Sequence, residues 1–269
     1  MVKQRVITGL LLAPLVLLSI YYSNLYFFVS VSTILLMACG IEYLQLIPLT
    51  HLKYQCLFML ALISAMILAH VVFTYWLSLG FLIWLFIVFA ICSFPKFQFF
   101  WANRVTVTLF SILLLPLFTQ SLIHIYQKQH GKAWIIYLLF LVWGADIGGY
   151  FVGKRWGQHP LIPHVSPGKT IEGAIGGGIL SAIVALLAYP YFQPSFEFSL
   201  QSSITLWMTM AMIIFVTALI GDLFISMLKR RVHLKDTGNV IPGHGGILDR
   251  FDSLIPATPV FYVLLYWIS

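Results

Sequence analysis

Asp222, Ser226 and Lys229 lie four and three residues apart in the apolar run "ALIGDLFISMLKRR", so a helix stacks all three on one face near its basic end. Lys229, Arg230 and Arg231 are the usual kind of interfacial anchor for such a helix, but anchoring does not explain an acid roughly two turns below them. The charge density then rises. "KRRVHLKDTGNVIPGHGGILDRFD", Lys229 to Asp252, holds five of the 15 Lys and Arg residues and three of the eight acids of a chain that is 9% charged. In it Lys235 and Asp236 precede a glycine-rich turn whose Gly243, Gly245 and Gly246 leave backbone N–H groups free for phosphate oxygens. His244 between them is a candidate proton donor or phosphate contact, or simply a loop residue. Asp249 and Asp252 are three apart and share a face if a helix starts there.

Two further segments carry the same chemistry. Asp146, in "LLFLVWGADIGGYFVGKRWG", is an acid in an otherwise apolar helix, where an unpaired charge costs about 3 kcal/mol or more. It requires a partner, either a cation from a neighbouring helix or a metal or polar ligand. Gly144, Gly148 and Gly149 beside it permit a close approach by a helix or a ligand. In "VSPGKTIEGAIGGG", Ser166 and Lys169 are candidate phosphate contacts. Glu172 suits the positive end of a starting helix, and Gly173 with Gly177 reads as a helix-packing pair. Carboxylates mixed with cations are what a hard divalent cation and a polyphosphate need when bound together, with Mg²⁺ favoured over softer metals because no Cys/His cluster is present. A transporter would place such residues at the bilayer midplane in broken helices, and a purely structural scaffold would not cluster them.

The elements that must position these residues are membrane spans. The chain is 61% hydrophobic with a mean hydropathy of +0.96, which excludes an ordinary soluble domain. The reading is an all-α, polytopic integral membrane protein of about nine transmembrane helices, near 6–22, 24–40, 55–74, 78–94, 105–125, 133–153, 171–192, 203–227 and 253–268. The charge-free run from Gln55 to Phe94 is divided around "YWLSLG", where Gly80 is the expected turn. The first span has a basic head but a long apolar stretch and no small-x-small cleavage site, so it is expected to be retained. With the N-terminus cytoplasmic, every Lys and Arg except Lys128 and Lys132 falls on the cytoplasmic side, as the positive-inside rule requires. Cys39, Cys56 and Cys92 lack metal-ligand spacing and read as buried, inert thiols. The net charge of +7 carries no basic stripe with interleaved aromatics, so nucleic acid is excluded as a partner. All acids except Glu42 lie in the interval Asp146 to Asp252. Residues 1–132 therefore read as a transmembrane scaffold and 133–269 as the catalytic region of one continuous membrane domain.

The run Ser226-Met-Leu-Lys229-Arg230, four residues, Lys235-Asp236, and then Pro242-Gly-His-Gly-Gly-Ile-Leu-Asp249-Arg-Phe-Asp252 resembles the hallmark motif of the phosphatidate cytidylyltransferase (CDP-diacylglycerol synthase) family. "DIGGYFVGKRWG" and "SPGKTIEG" are similar to its accompanying motifs, so the resemblance spans Trp143 to Asp252; the N-terminal half matches in hydropathy only. It implies a Mg²⁺-dependent reaction of CTP with phosphatidic acid in a membrane, giving CDP-diacylglycerol and pyrophosphate; short loops, compact length and no detected organellar presequence favour a bacterial plasma membrane as location. It further implies Asp146, Asp222, Asp249 and Asp252 as metal ligands or their close support, with Asp236 assisting. Lys169, Lys229, Arg230, Lys235 and Arg250 become phosphate holders, joined by Ser166, Ser226, Gly245, Gly246 and His244. A homodimer is carried as an expectation of the same kind. Three positions depart from the family pattern: Ile225 where Glu is usual, Gly168 for a common Lys and Gly149 for a common Ala. Among alternatives, a CTP-dependent lipid kinase would release CDP, and an ion-coupled transporter would consume no nucleotide.

Overall fold

The computed structural model describes residues 2–47, 49, 51–192, 204–240 and 245–268. Nine helices of 15 to 28 residues dominate: α1 (Val2–Tyr22), α2 (Leu25–Tyr43), α3 (Leu52–Val71), α4 (Phe73–Ser93), α6 (Arg104–Tyr126), α7 (Gly131–Trp156), α8 (Ile171–Phe192), α9 (Ile204–Arg231) and α11 (Leu254–Ile268). Two helices of a single turn, α5 (Gln98–Trp101) and α10 (Leu248–Phe251), and a hairpin of β1 (Pro160–Ile162) with β2 (Ser166–Thr170) complete the described elements. Each hydropathy span is thus helical, and seven of the helices are long and apolar enough to cross a bilayer. Large side chains such as Leu11, Leu85 and Phe151 project from them into the surroundings, a surface that only lipid solvates at low cost. The protein is a multi-pass, all-α membrane protein.

Local signals start several helices. Asn24 and Asn103 accept hydrogen bonds from Phe27 N (2.8 Å) and Thr106 N (2.9 Å), capping α2 and α6. The division of the long charge-free run differs from expectation. It comes at Val72, whose N–H closes α3 on Leu68 O and whose carbonyl accepts from Trp76 N to open α4. Gly80 lies inside α4, where a Cβ would strike Leu117 of α6; its smallness serves helix approach, not a turn. Cys39 is buried as expected, but Cys56 and Cys92 face outward from α3 and α4, because a thiol is apolar enough for lipid.

The tightest pair is α7 with α8. A Cβ on Gly148 would collide with the carbonyl of Gly176 and with Leu180, and one on Gly177 with the carbonyl of Ala145, so bare backbone is what lets these helices touch. Gly173 and Gly177 are packing residues, as their spacing predicted. Ser181 Oγ donates to Leu141 O across the same seam at 3.0 Å. Toward the other end Trp134 stacks on Phe192 at 4.1 Å and Trp207 donates to Ala185 O at 2.8 Å, joining α9.

Further polar links tie the two ends of the bundle. At one end Lys132 Nζ donates to Tyr21 O and Ser23 O (2.9 and 2.6 Å), and Tyr126 donates to Ser23 O. At the other, Arg231 at the end of α9 donates to Ala102 O (2.7 Å) and Leu46 O (2.6 Å), and Arg230 to Val165 O (3.3 Å). This second end gathers the motif residues. Gly148→Ala is expected to cost about 1–3 kcal/mol through overpacking, read as a lower apparent Tm in detergent. Gly9→Ala, with nothing within 4 Å of its Cβ position, is expected to leave Tm unchanged.

Candidate active site

Three elements converge on a cavity of about 250 Å³ at the motif-bearing end. From α7 comes Asp146, from β2 Lys169, and from α9 Asp222, with Ser253 at the start of α11 closing the wall. The β1–β2 hairpin, which hydropathy did not signal, aims Lys169: pairing of Pro160 with Thr170 and Ile162 with Ser166 folds "SPGKT" back over the end of the bundle. Lys169 Nζ pairs with Asp222 Oδ2, and Ser226 Oγ donates to Asp222 Oδ1 at 3.2 Å. The helical stacking of Asp222 and Ser226 is therefore real and in use. Ser166 itself is tied into the hairpin register, and Glu172 accepts from the N–H groups of Gln158 and His159 and meets His159 Nδ1 at 2.6 Å. Those contacts give Glu172 the structural role of fastening the connection before the hairpin.

A second ion pair lies beyond the first. Lys229 Nζ donates to Asp249 Oδ1 at 2.7 Å, while Asp249 Oδ2 accepts from Thr237 N (2.8 Å) and Gly246 N (3.0 Å). Lys229 is seven residues past Asp222, about 10 Å further along α9. Asp222 and Asp249 thus share an end of the bundle but hold separate partners. Gly245 has φ +82°, and a Cβ there would press on Asp249 Oδ2 and Asp236, so a glycine is needed where these two acids flank the turn. Asp252 is buried after α10; its Oδ1 accepts from Ser253 N at 2.7 Å, and it is near enough to feel the charges of Asp222, Asp146, Lys169 and Lys229. Arg250 is exposed and acts electrostatically on Asp146. Lys235 and Asp236 are exposed, and Arg230 holds the hairpin through Val165 O. His244 and Gly243 lie outside the described residues.

The electrostatics of the two loop acids oppose each other. Burial alone would raise the Asp249 carboxyl, but the Lys229 hydrogen bond and charge, with the N–H groups of Thr237 and Gly246, hold it below the usual carboxylate range. Asp252 goes the other way: burial first, then the negative charges of Asp222 and Asp146, push it well above that range. Among the described residues no three His, Cys, Asp or Glu side chains form a ready-made metal cage. Asp146, Asp222 and Asp252 are nonetheless hard oxygen donors within electrostatic reach of one another, a set that suits a cation completing its shell with phosphate oxygens and water.

A model of the cytidylyltransferase family matches residues 3–268. The chain belongs to that family. It is 32% identical to the phosphatidate cytidylyltransferase of Bacillus subtilis, over 98% of this chain and 97% of that protein. It is 33% identical to the one from Pseudomonas aeruginosa, over 99% and 97%. With the Staphylococcus aureus phosphatidate cytidylyltransferase it shares 44% identity over 51% of each chain. Membership of the cytidylyltransferase family extends through the N-terminal half, where sequence reading found only hydropathy. There one buried acid was missed. Glu42 of α2 accepts from Ile247 N, Leu248 N and Thr237 Oγ1 (2.8, 2.7 and 3.1 Å). The rule that flagged Asp146, a lone acid in an apolar span, reaches Glu42 only once the second span is carried past residue 40 to Tyr43, where α2 ends. Ile225, the departure beside Ser226, is fully buried in the core, so it does not occupy the face that Asp222 and Ser226 present.

A carboxylate whose folded pKa is depressed stabilises the fold fully above its unfolded value and loses that contribution as pH falls toward the folded one. Acidification from about pH 5 to pH 3 is therefore expected to lower the Tm of the wild type more steeply than that of Asp249→Asn, measured by thermal unfolding in detergent.

Proposed function

We propose that the protein transfers CMP from CTP to phosphatidic acid, forming CDP-diacylglycerol and pyrophosphate. The observation that carries this is the convergence of Asp146, Lys169 and Asp222 on one cavity at the end of the bundle where the motif loop also lies, in a chain that aligns almost end to end with phosphatidate cytidylyltransferases. A lipid phosphate lies at the headgroup plane and a nucleotide arrives from water, so an ion-pair cluster at the mouth of an apolar bundle is where both can be met.

A phosphate oxygen of phosphatidate attacks the α-phosphorus of CTP. A new P–O bond forms as the bond to the bridging oxygen breaks, and that electron pair leaves with pyrophosphate. The attacking group is already anionic, so no side-chain nucleophile is required, and the protein's work is alignment and relief of repulsion between two anions. Lys169 and Lys229, now paired with Asp222 and Asp249, are the cations best placed to exchange a carboxylate for a phosphate. Arg250, Lys235 and Arg230 are the exposed cations of the same motif segment. We assign Mg²⁺ to Asp146 and Asp222, with Asp252 behind them; bound there, it would supply charge neutralisation of the phosphates and orientation for in-line displacement.

The proposal places this end of the bundle, with the N-terminus, on the cytoplasmic face of a bacterial plasma membrane. The support is that only Lys128 and Lys132 among the Lys and Arg residues lie at the opposite end. Homodimer formation belongs to the same proposal and is read from the mass of the solubilised protein. Purified protein given CTP, Mg²⁺ and phosphatidate is expected to release one pyrophosphate per CDP-diacylglycerol identified by mass. Asp222→Asn and Lys169→Met should each slow it about 100-fold or more, and EDTA should abolish it. Release of CDP with a phosphorylated lipid, or no nucleotide-dependent product from folded protein, would overturn the reading.

A further inference from the structure

Glu42 is the only acid in the first 145 residues, and it is 4% exposed at the end of α2. Among the described residues no Lys, Arg or His forms an ion pair with it. Its charge is met instead by three donors from the motif loop: Oε1 accepts from Ile247 N, and Oε2 from Leu248 N and the Thr237 hydroxyl. The loop is shaped to allow this. A Cβ on Gly246 would strike Oε2 and one on Gly238 would strike Oε1, so both glycines are positions where the backbone closes onto the Glu42 carboxylate.

The same loop residues face a second carboxylate. Thr237 gives its hydroxyl to Glu42 and its N–H to Asp249; Gly246 gives its N–H to Asp249 while the next two N–H groups go to Glu42. Glu42 therefore fixes, from outside, the two stretches of backbone that fix Asp249 and its pairing with Lys229. Charge-assisted bonds of this kind are stronger than neutral ones, and their loss leaves buried donors unmatched. We infer that Glu42 is a positioning residue for the transfer reaction, acting through Thr237 and Ile247–Leu248 to orient Asp249 and Lys229. This rests on the function proposed above and extends it to a residue of the N-terminal half.

Glu42→Gln keeps the size but offers one acceptor oxygen where two are used, and turns an NH₂ group toward backbone donors. Misplacement of a catalytic loop by about 1 Å costs on the order of 100-fold in rate. The expected result is a fall in kcat of about 10- to 100-fold, with KM for CTP and phosphatidate changed less than about threefold. Hydrogen exchange should quicken at the Thr237, Gly246, Ile247 and Leu248 amides and stay unchanged in α7 and α8. Thr237→Val, which removes one donor without changing shape, should move the same readouts in the same direction by less; it decides the matter if Glu42→Gln does not fold. Wild-type kcat with unchanged loop exchange overturns the inference, as does faster exchange spread over the whole bundle with KM and kcat falling out together. If the wild type itself makes no CTP-dependent product, the functional reading fails, and loop exchange in Glu42→Gln still shows whether Glu42 holds this loop.

Discussion

A carboxylate buried at the edge of a bilayer is tolerated only where donors converge on it, and this requirement organises the motif-bearing end of the protein. Asp222 is met by Lys169 and Ser226, Asp249 by Lys229 and two backbone N–H groups, and Glu42 by two backbone N–H groups and a hydroxyl. Apart from Ser226, every partner lies on a different element from its acid, so satisfying the charges also ties together α2, α9, the hairpin and the loop before α11. Asp252 is the exception. Burial first, and then the charges of Asp222 and Asp146, push its carboxyl above the usual carboxylate range, against the opposing pull of Lys169 and Lys229.

The glycines explain how those elements come close enough. Between α7 and α8 they bring two helix backbones into contact, which carries Asp146 alongside the strand that presents Lys169. In the loop they bring backbone onto the Glu42 carboxylate instead. A side chain at Gly148 would push apart two spans, whereas one at Gly246 would push a carboxylate off its donors. The same residue type thus supports helix packing in one place and a polar clamp in another, and composition alone does not separate these uses.

Two features of the ion pairs bear on chemistry. Lys169 and Lys229 are each engaged by a carboxylate, and in the proposed reaction phosphate oxygens would compete with that carboxylate for the same ammonium group. The pairs keep the two ammonium groups oriented. The burial of Ile225 adds to this picture: one position from Ser226 on α9, it belongs to the packed interior, so its apolar character stabilises the helix that presents Asp222.

Much of the architecture was legible from sequence because it depends on patterns within single segments. Apolar length fixed the helices, charge asymmetry separated the two ends, helical spacing put Asp222 and Ser226 on one face, and small-residue spacing marked the α7–α8 seam. The division of the long run at Val72 was not legible, since no Gly or Pro marks it and the polar residues beside it, His70 and Thr74, are isolated within an apolar stretch. The hairpin was missed for a similar reason: its strands are too short for a period to show. Apart from Asp222 with Ser226, which acid pairs with which donor was decided by tertiary structure alone. Glu42 lies 195 to 206 residues from the groups that satisfy it, a separation over which no local pattern operates. Only the packing of α2 beside the motif loop turns a lone acid in an apolar helix into part of the site.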